Sequence, residues 1–342
     1  MATFRLDGRP SGWDVDMGEN SNRFSARVDS LPEEDFDELS RAVAARKCRE
    51  KVGVGTFDEA VSAYRPRPKC PRCGFEKAAK DGRTRAGRQR YRCPERGARF
   101  SSLANTVFEN CKKDFPTWAR FVELMTWNVP VEAAAEVCGI THQTAWEWRH
   151  RVFATVDGYQ DGIVLEGRAW IDEAHIADAD LAKGPGEARR RGLSRQQLCI
   201  AVAIDERENP VAVVCGRGKP STARIKEGLL PHIKQGSHIV HDKEKAHNGL
   251  VRAAKCTDEA YKADVRDPAY LECMAMANSL CSWLKRYLRR FVGMDPKNLQ
   301  SYLNWFVCLF RVNQSKERWP KNGKGGSPSA DVRCELSHVK RF

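Results

Sequence analysis

Long hydrophobic runs are missing from this 342-residue chain. The longest apolar stretches, "LCIAVAI" and "WFVCLF", fall far short of the roughly 20 residues that cross a bilayer, so no membrane span is expected. The amino terminus, "MATFRLDGRPSGWDVDMGEN", lacks the apolar centre of a secretory leader. The expected compartment is the cytoplasm, where the thirteen cysteines serve as core residues or metal ligands rather than disulfides. No internal repeat is evident, which argues against a solenoid. Acidic residues are in deficit: 58 Lys and Arg against 45 Asp and Glu leave a formal net charge of +13. An excess spread over the whole chain points to a polyanionic partner, with nucleic acid ahead of a membrane surface.

A further shortage sits inside "CPRCGFEKAAKDGRTRAGRQRYRCPERGARF", residues 70–100. Cys70 and Cys73 have the two-residue gap of a metal knuckle, and Cys93 opens a second knuckle. Its partner position holds Arg96. Structural zinc is four-coordinate. Either another residue or water completes a Zn2+ site, or a ribbon fold stands with little or no metal. Cys48 and Cys111 are conceivable donors, and each also fits a helix as a buried thiol. The rest of a ribbon hairpin is present: Tyr91 before the cysteine, Gly97 at the turn and Phe100 to pack beneath. Arg96, with Arg90, Arg92 and Arg99, would then add to a surface that follows a DNA backbone.

Residues 31–50 read as a helix with Ser30 as cap, Pro32 in the first turn, an acidic start and a basic end. From 114 to 156 three helices are expected: "FPTWARFVELMTWN", "PVEAAAEVCG" and "THQTAWEWRHRVFATV". The break at Gly139 and the start at Thr141 form a helix–turn–helix, with Ala134, Val137, Ile140 and Trp146 packing the two helices together. Thr141, His142, Gln143, Thr144, Glu147 and Arg149 then face outward as hydroxyls, an amide and cations suited to reading DNA. An ordinary helical hairpin is the alternative.

From 168 the period changes from helical to alternating. "RAWIDEAHI", "QQLCIAVAID" and "PVAVVCGRG" read as three strands that can pair as a meander, the second buried on both faces. A helix over 221–235, the strand "SHIVHD", a helix over 243–254 and the strand "YKADV" follow, needing helical crossovers. Two helices, about 271–291 and 296–314, close this region. The tail from Gln314 is basic and Gly/Ser-rich and reads as a mobile arm that contacts nucleic acid. The expected divisions are 1–64, helical and flexible; 65–105, ribbon-like; 106–160, helix–turn–helix; 161–314, an α/β catalytic core; and 315–342, the basic tail.

Asp172 interrupts an apolar strand, where an unpaired carboxylate costs several kcal/mol. Asp242 ends the fourth strand, at the carboxyl edge where sheet enzymes place their chemistry. Two such carboxylates on adjacent strands can share a pair of Mg2+ or Mn2+ ions for phosphodiester cleavage. Salt-bridged or strand-end acids are the plainer reading of each taken singly. Glu173 should point to the opposite face from Asp172 and play a supporting or structural part. His175, His241 and His247 read as phosphate or backbone contacts, because magnesium prefers oxygen. Lys219 and Ser221 of "GKPS" either offer helix amides to a phosphate or make a turn with a serine cap.

The order of cysteine ribbon, helix–turn–helix and mixed-sheet core resembles the insertion-sequence DDE-type transposases, and among them the zinc-ribbon group. The residues that carry the resemblance are "WIDEAHI", "GKPS", "IVHDKEKAHNGLV", "ANSLCSWLKRYLRRFVGM" and "LQSYLNWFVCLF", within about 65–314. The resemblance implies an RNase H-like core. It implies Asp172 and Asp242 as metal ligands, Asn278 at a third position where the family has Glu or Asn, and Lys285 after it. Asn278 and Lys285, seven apart, lie two turns along one helix. There Asn278 offers a neutral oxygen to metal and Lys285 a point charge to phosphate, with Ser282 and Arg289 near that face. Glu272 is a rival third acid pointing elsewhere on the helix. The implied activity is cleavage at the element's terminal repeats and strand transfer to target DNA, without a covalent protein–DNA intermediate. That agrees with the lack of a Ser or Tyr nucleophile motif. Pairing two ends implies at least a dimer on DNA, nucleoid-associated in the cell. A non-catalytic regulator derived from a transposase, and an RNase H-like nuclease without strand transfer, are the rivals.

Overall fold

In the computed structural model the described residues are 25–65, 68–85, 87–177, 196–291 and 293–314. Residues 1–24 and the basic tail expected over 315–342 lie outside them. The chain divides into two units at Gly55 and Thr56.

The first unit contributes helix α1, Glu33–Val52. Glu33, Glu34 and Asp35 open it and Arg49 and Lys51 close it, the arrangement that opposes the helix dipole. Gly53, at φ 81°, ends it with its N–H on the Arg49 carbonyl. Ser30 is not its cap. Its hydroxyl donates to the Arg27 carbonyl at 3.0 Å, closing a preceding helical turn, and Pro32 takes the cap position.

In the second unit a short helix, α2 (Phe57–Tyr64), precedes a three-stranded antiparallel sheet of β1 (Ala79–Arg83), β2 (Gln89–Arg92) and β3 (Arg99–Ser101). Helices α3 (Phe115–Thr126), α4 (Val131–Val137) and α5 (His142–Ala154) follow. Their core is aromatic: Trp118 and Trp148 meet at 4.6 Å between ring centroids, and Phe121 lies edge-on to Trp148 at 5.4 Å.

The remaining elements build a mixed α/β layer structure. Strands β4 (Arg168–Ile176), β5 (Leu198–Asp205), β6 (Pro210–Arg217), β7 (His238–His241) and β8 (Thr257–Ala260) form one sheet in the order β6-β5-β4-β7-β8. The first three pair antiparallel as a meander, and β4, β7 and β8 run parallel. Every residue of β5 is buried, as its unbroken apolar run requires. This five-stranded mixed sheet fits an RNase H-like core. The fifth strand is Thr257–Ala260 rather than "YKADV": those earlier residues pair in register with His238–His241, and parallel pairing outweighs their weak β propensity.

Helices α6 (Thr222–Leu229) and α7 (His247–Ala253) cover the face of β4 to which Glu173 points. The other face, to which Asp172 points, carries α8 (Pro268–Cys273), α9 (Ala275–Leu288) and α10 (Leu299–Gln314). The single helix expected over 271–291 is two, broken at Met274. Gly249 lets α7 close on α6, because a Cβ there would run into Thr222 Cγ2. The outer strand β6 is closed off by side chains. Gln160 exchanges two hydrogen bonds with Ala212, donating to its carbonyl at 2.9 Å and accepting from its N–H at 2.8 Å, and Gln300 accepts from the Val214 N–H at 3.0 Å. An edge strand satisfied in this way no longer offers a pairing template.

Candidate active site

The site forms where β7 stops and β4 continues. The two strands pair only over Arg168–Trp170 with His238–Val240, and Trp170 stands opposite Val240. Two residues further on, Asp172 and Asp242 are therefore level with each other. Asp242 lies just beyond β7, where Lys243 turns the chain with φ 65°. Its Oδ1 accepts the Glu244 N–H at 3.1 Å, which holds the carboxylate.

Carboxylate oxygens of Asp172, Glu173 and Asp242 all lie within 4.8 Å of one another. Glu173 leaves the sheet on the opposite face, as alternation demands, yet it reaches the same cluster. Beyond Trp170, β4 has no partner strand on the β7 side, so side chains from both faces can converge around the open edge. Burial pushes Asp172 up to about 6, and the charges of Asp242 and Glu173 push the same way against the N–H of Glu173. Hard oxygen donors gathered like this suit Mg2+ or Mn2+.

The three histidines are not alike. His247 is buried and gives its Nε2 to Glu173 Oε1 at 2.7 Å, while its Nδ1 stands 3.5 Å from Asp242 Oδ1. Burial alone would lower the pKa of His247, but the Glu173, Asp242 and Asp172 carboxylates outweigh it and the pKa is raised. His241 is also buried, with Nε2 3.3 Å from Asp258 Oδ2, and burial lowers its pKa. Neither is available to a backbone phosphate, because both are sealed inside the sheet layer. His175 is half-buried, and burial lowers its pKa too.

On the other side of β4, Cys281 Sγ lies 3.5 Å from Asp172 Oδ2. Asn278 precedes it by three positions and Lys285 follows by four, so the three share one stripe of α9. Cys281 was not foreseen. It looks like a core thiol in the sequence, and only the packing of α9 on β4 gives it a carboxylate neighbour. Lys285 and Arg289 line a cavity of ≈ 330 Å³ with His175 and Phe291. Ser282 is exposed on the flank of the stripe, and Glu272 is exposed on α8, across the break. Ser221 caps α6, and Lys219 Nζ lies 3.1 Å from Glu244.

Residues 164–313 match the family model of the ISXO2-like transposase domain. The chain carries an insertion-sequence transposase domain of the DDE type. Transposases of this kind are in general polynucleotidyl transferases that act on DNA and use divalent metals. A comparison with curated proteins gave no match. Among the described residues, no helix is long and apolar enough to cross a membrane.

Ahead of the transposase domain, the two cysteine knuckles have the same backbone. Cys70 N–H binds the Phe75 carbonyl at 2.8 Å and Cys93 N–H the Ala98 carbonyl at 2.9 Å. Gly74 and Gly97, both at positive φ, return hydrogen bonds to Cys70 and Cys93. Arg96 therefore stands where Cys73 stands in the first knuckle, with its side chain exposed. The sulfurs of Cys70, Cys73 and Cys93 lie within 4.8 Å of one another, Cys73 and Cys93 at 3.6 Å. Three thiolates suit zinc, and no fourth metal-ligating side chain joins the group among the described residues. Arg90 and Arg99 both reach Asp81, Arg99 at 2.8 Å, whereas Arg92 and Arg96 are exposed.

In α5, Thr141 accepts the Thr144 N–H as the cap. His142 lies 3.2 Å from Glu132, and Gln143 donates to Glu147 at 3.1 Å. Arg149 does not face outward: it is 5% exposed, donates to the Val129 carbonyl at 3.3 Å and lies over the Phe291 ring at 5.0 Å. Burial lowers its pKa. Trp146, expected inside, is 43% exposed, and Val137 is exposed as well. The cause is a rotation of α5. Ala145, Trp148 and Val152, not Trp146, form the buried stripe, because Trp118 and Phe121 of α3 accept Trp148.

Proposed function

We propose that this protein is a transposase that binds the terminal inverted repeats of an insertion sequence and catalyses their cleavage and strand transfer. The convergence of the Asp172, Glu173 and Asp242 carboxylates at the open edge of β4, inside a transposase domain, is the observation that carries this reading. Asp172 and Asp242 would hold two divalent ions, and Asn278 of α9 would offer a neutral carbonyl oxygen. Bound there, Mg2+ or Mn2+ supplies the charge that activates a water or 3′ hydroxyl and steadies the leaving oxygen. Glu173 holds the His247 ring beside Asp242. Lys285 and Arg289 offer cations to the phosphates flanking the scissile bond.

The ribbon-like module over 65–105 and the helix–turn–helix over 106–160 would hold the element ends. Arg92 and Arg96 would meet the backbone, and Thr141, His142, Gln143 and Thr144 would meet base edges and sugars. Arg149 acts from inside, keeping α5 in place. The catalytic core spans 161–314, and the 1–64 and 315–342 segments flank the working parts. Two copies assemble on paired ends, associated with the nucleoid in the cytoplasm.

A strand-transfer assay with a pre-cut end and Mg2+ tests the reading. Joined product is expected. Cleavage without joining would make the protein a nuclease, and binding alone would make it a regulator. Full activity of Asp172→Ala or Asp242→Ala would refute the assignment of the site.

A further inference from the structure

The carboxylates are not the only ligands at this edge. One ligand atom each of His241, Asp242 and His247 lie within 4.8 Å of one another. Both imidazoles are fully buried, their rings perpendicular with centroids 5.1 Å apart. Each turns its Nε2 to a carboxylate, His241 to Asp258 at 3.3 Å and His247 to Glu173 at 2.7 Å. That bond holds a proton on Nε2 of each ring, so Nδ1 is the atom whose lone pair is free for a cation when the ring is neutral. Both Nδ1 atoms are buried with no hydrogen-bond partner. A buried polar nitrogen without a partner costs about 1–3 kcal/mol, and this small region holds two.

We propose that His241 Nδ1, His247 Nδ1 and the Asp242 carboxylate form a binding site for a first-row transition cation such as Mn2+, Co2+ or Zn2+. Three features fit. Carboxylate–histidine pairs that orient a ring and raise its basicity are the usual support of metal-bound imidazole. Two ligands held about 2.0–2.2 Å from one ion stand about 3–3.5 Å apart, and His247 Nδ1 is 3.5 Å from Asp242 Oδ1. Two imidazoles and one carboxylate prefer transition metals to Mg2+, which seeks oxygen. A proton held on Nδ1 leaves as the cation binds.

The site is distinct in ligand class from the all-oxygen set around Asp172 but shares Asp242 with it. Filling it therefore alters the position and charge of Asp242. It does not depend on the transposition reading, since a chain that joins no DNA would bind the cation equally.

Cobalt titration of the full-length, chelator-stripped protein, followed by visible absorption, tests the site. Thiolate-bound Co2+ gives strong sulfur charge-transfer bands, so binding at Cys70, Cys73 and Cys93 is read separately from weak nitrogen- and oxygen-ligand bands. A set of the second kind is expected, competed poorly by Mg2+. It should disappear in His241→Asn with His247→Asn and persist in Asp172→Asn. Should the double variant fail to fold, Glu173→Gln and Asp258→Asn decide instead, each expected to weaken Co2+ binding about 10–100-fold. Unchanged Co2+ affinity in these variants, or loss of the nitrogen-ligand bands in Asp172→Asn, overturns the proposal.

Discussion

Asp172→Asn should make the metal-free protein more stable while removing its chemistry. Asp172 is buried beside two other carboxylates, and its pKa stands at about 6 against an ordinary 3.8. A shift of about 2 units corresponds to about 3 kcal/mol. The sign follows from the raised pKa. Stability from this group is whole below about pH 4, where folded and unfolded chains both carry the proton, and is lost as pH rises through about 6. Asparagine is neutral throughout, and its Oδ1 can still accept the Glu173 N–H that Asp172 accepts at 2.7 Å. In a chelator at pH 8, the variant should therefore gain up to about 3 kcal/mol, several degrees in Tm for a domain of this size. The gain should vanish near pH 4. Excess Mg2+ should raise the Tm of the parent protein and leave the variant almost unmoved, since a cation that binds only the folded state stabilises it. Calorimetry across pH 4–8, with and without Mg2+, reads all of this. Equal melting temperatures in chelator at pH 8, or a variant less stable than the parent at every pH, would refute the electrostatic reasoning.

Asp242→Ala should abolish Mg2+-dependent nicking and leave binding to element-end DNA largely intact in a gel-shift assay. If Asn278→Asp and Asn278→Ala both nick at the parental rate, Asn278 is no ligand; the expected result is loss in the alanine variant and altered metal preference in the aspartate variant. Arg149→Ala should lower the urea midpoint through lost packing on Phe291, whereas Gln143→Ala should leave stability unchanged and weaken DNA binding. Gly249→Ala should cost about 1–3 kcal/mol by overpacking against Thr222, and adding Thr222→Ser should restore part of it in the same denaturation assay. Arg96→Cys should bring zinc content close to one equivalent by metal analysis, because it completes four thiolates.

The succession of strands and helices in the core was readable from the residues, since burial imposes a period on each element. A run such as "LCIAVAID" leaves few choices. Asp172 and Asp242 stood out for a related reason: a carboxylate within or just after an apolar strand is conspicuous. The cysteine spacing and Gly97 likewise marked a second knuckle, and its backbone keeps the turn although Arg96 stands at the ligand position. These are local signals, carried by a few neighbouring residues.

Tertiary packing decided the rest. Helical periodicity leaves a stripe free to rotate by a residue, so whether Trp146 or Trp148 went inside depended on Trp118 and Phe121 of another helix. Arg149 was buried with the same rotation. Strand alternation correctly sent Glu173 to the face opposite Asp172, but it could not show that β7 ends at His241 and leaves an edge around which both side chains meet. Nor could it show that His241 and His247, several positions apart in sequence, face each other with their outer nitrogens on Asp258 and Glu173. Those contacts join residues from different strands and helices. They follow from the register of β4 with β7 and the packing of α7 on the sheet, which no single stretch of sequence contains.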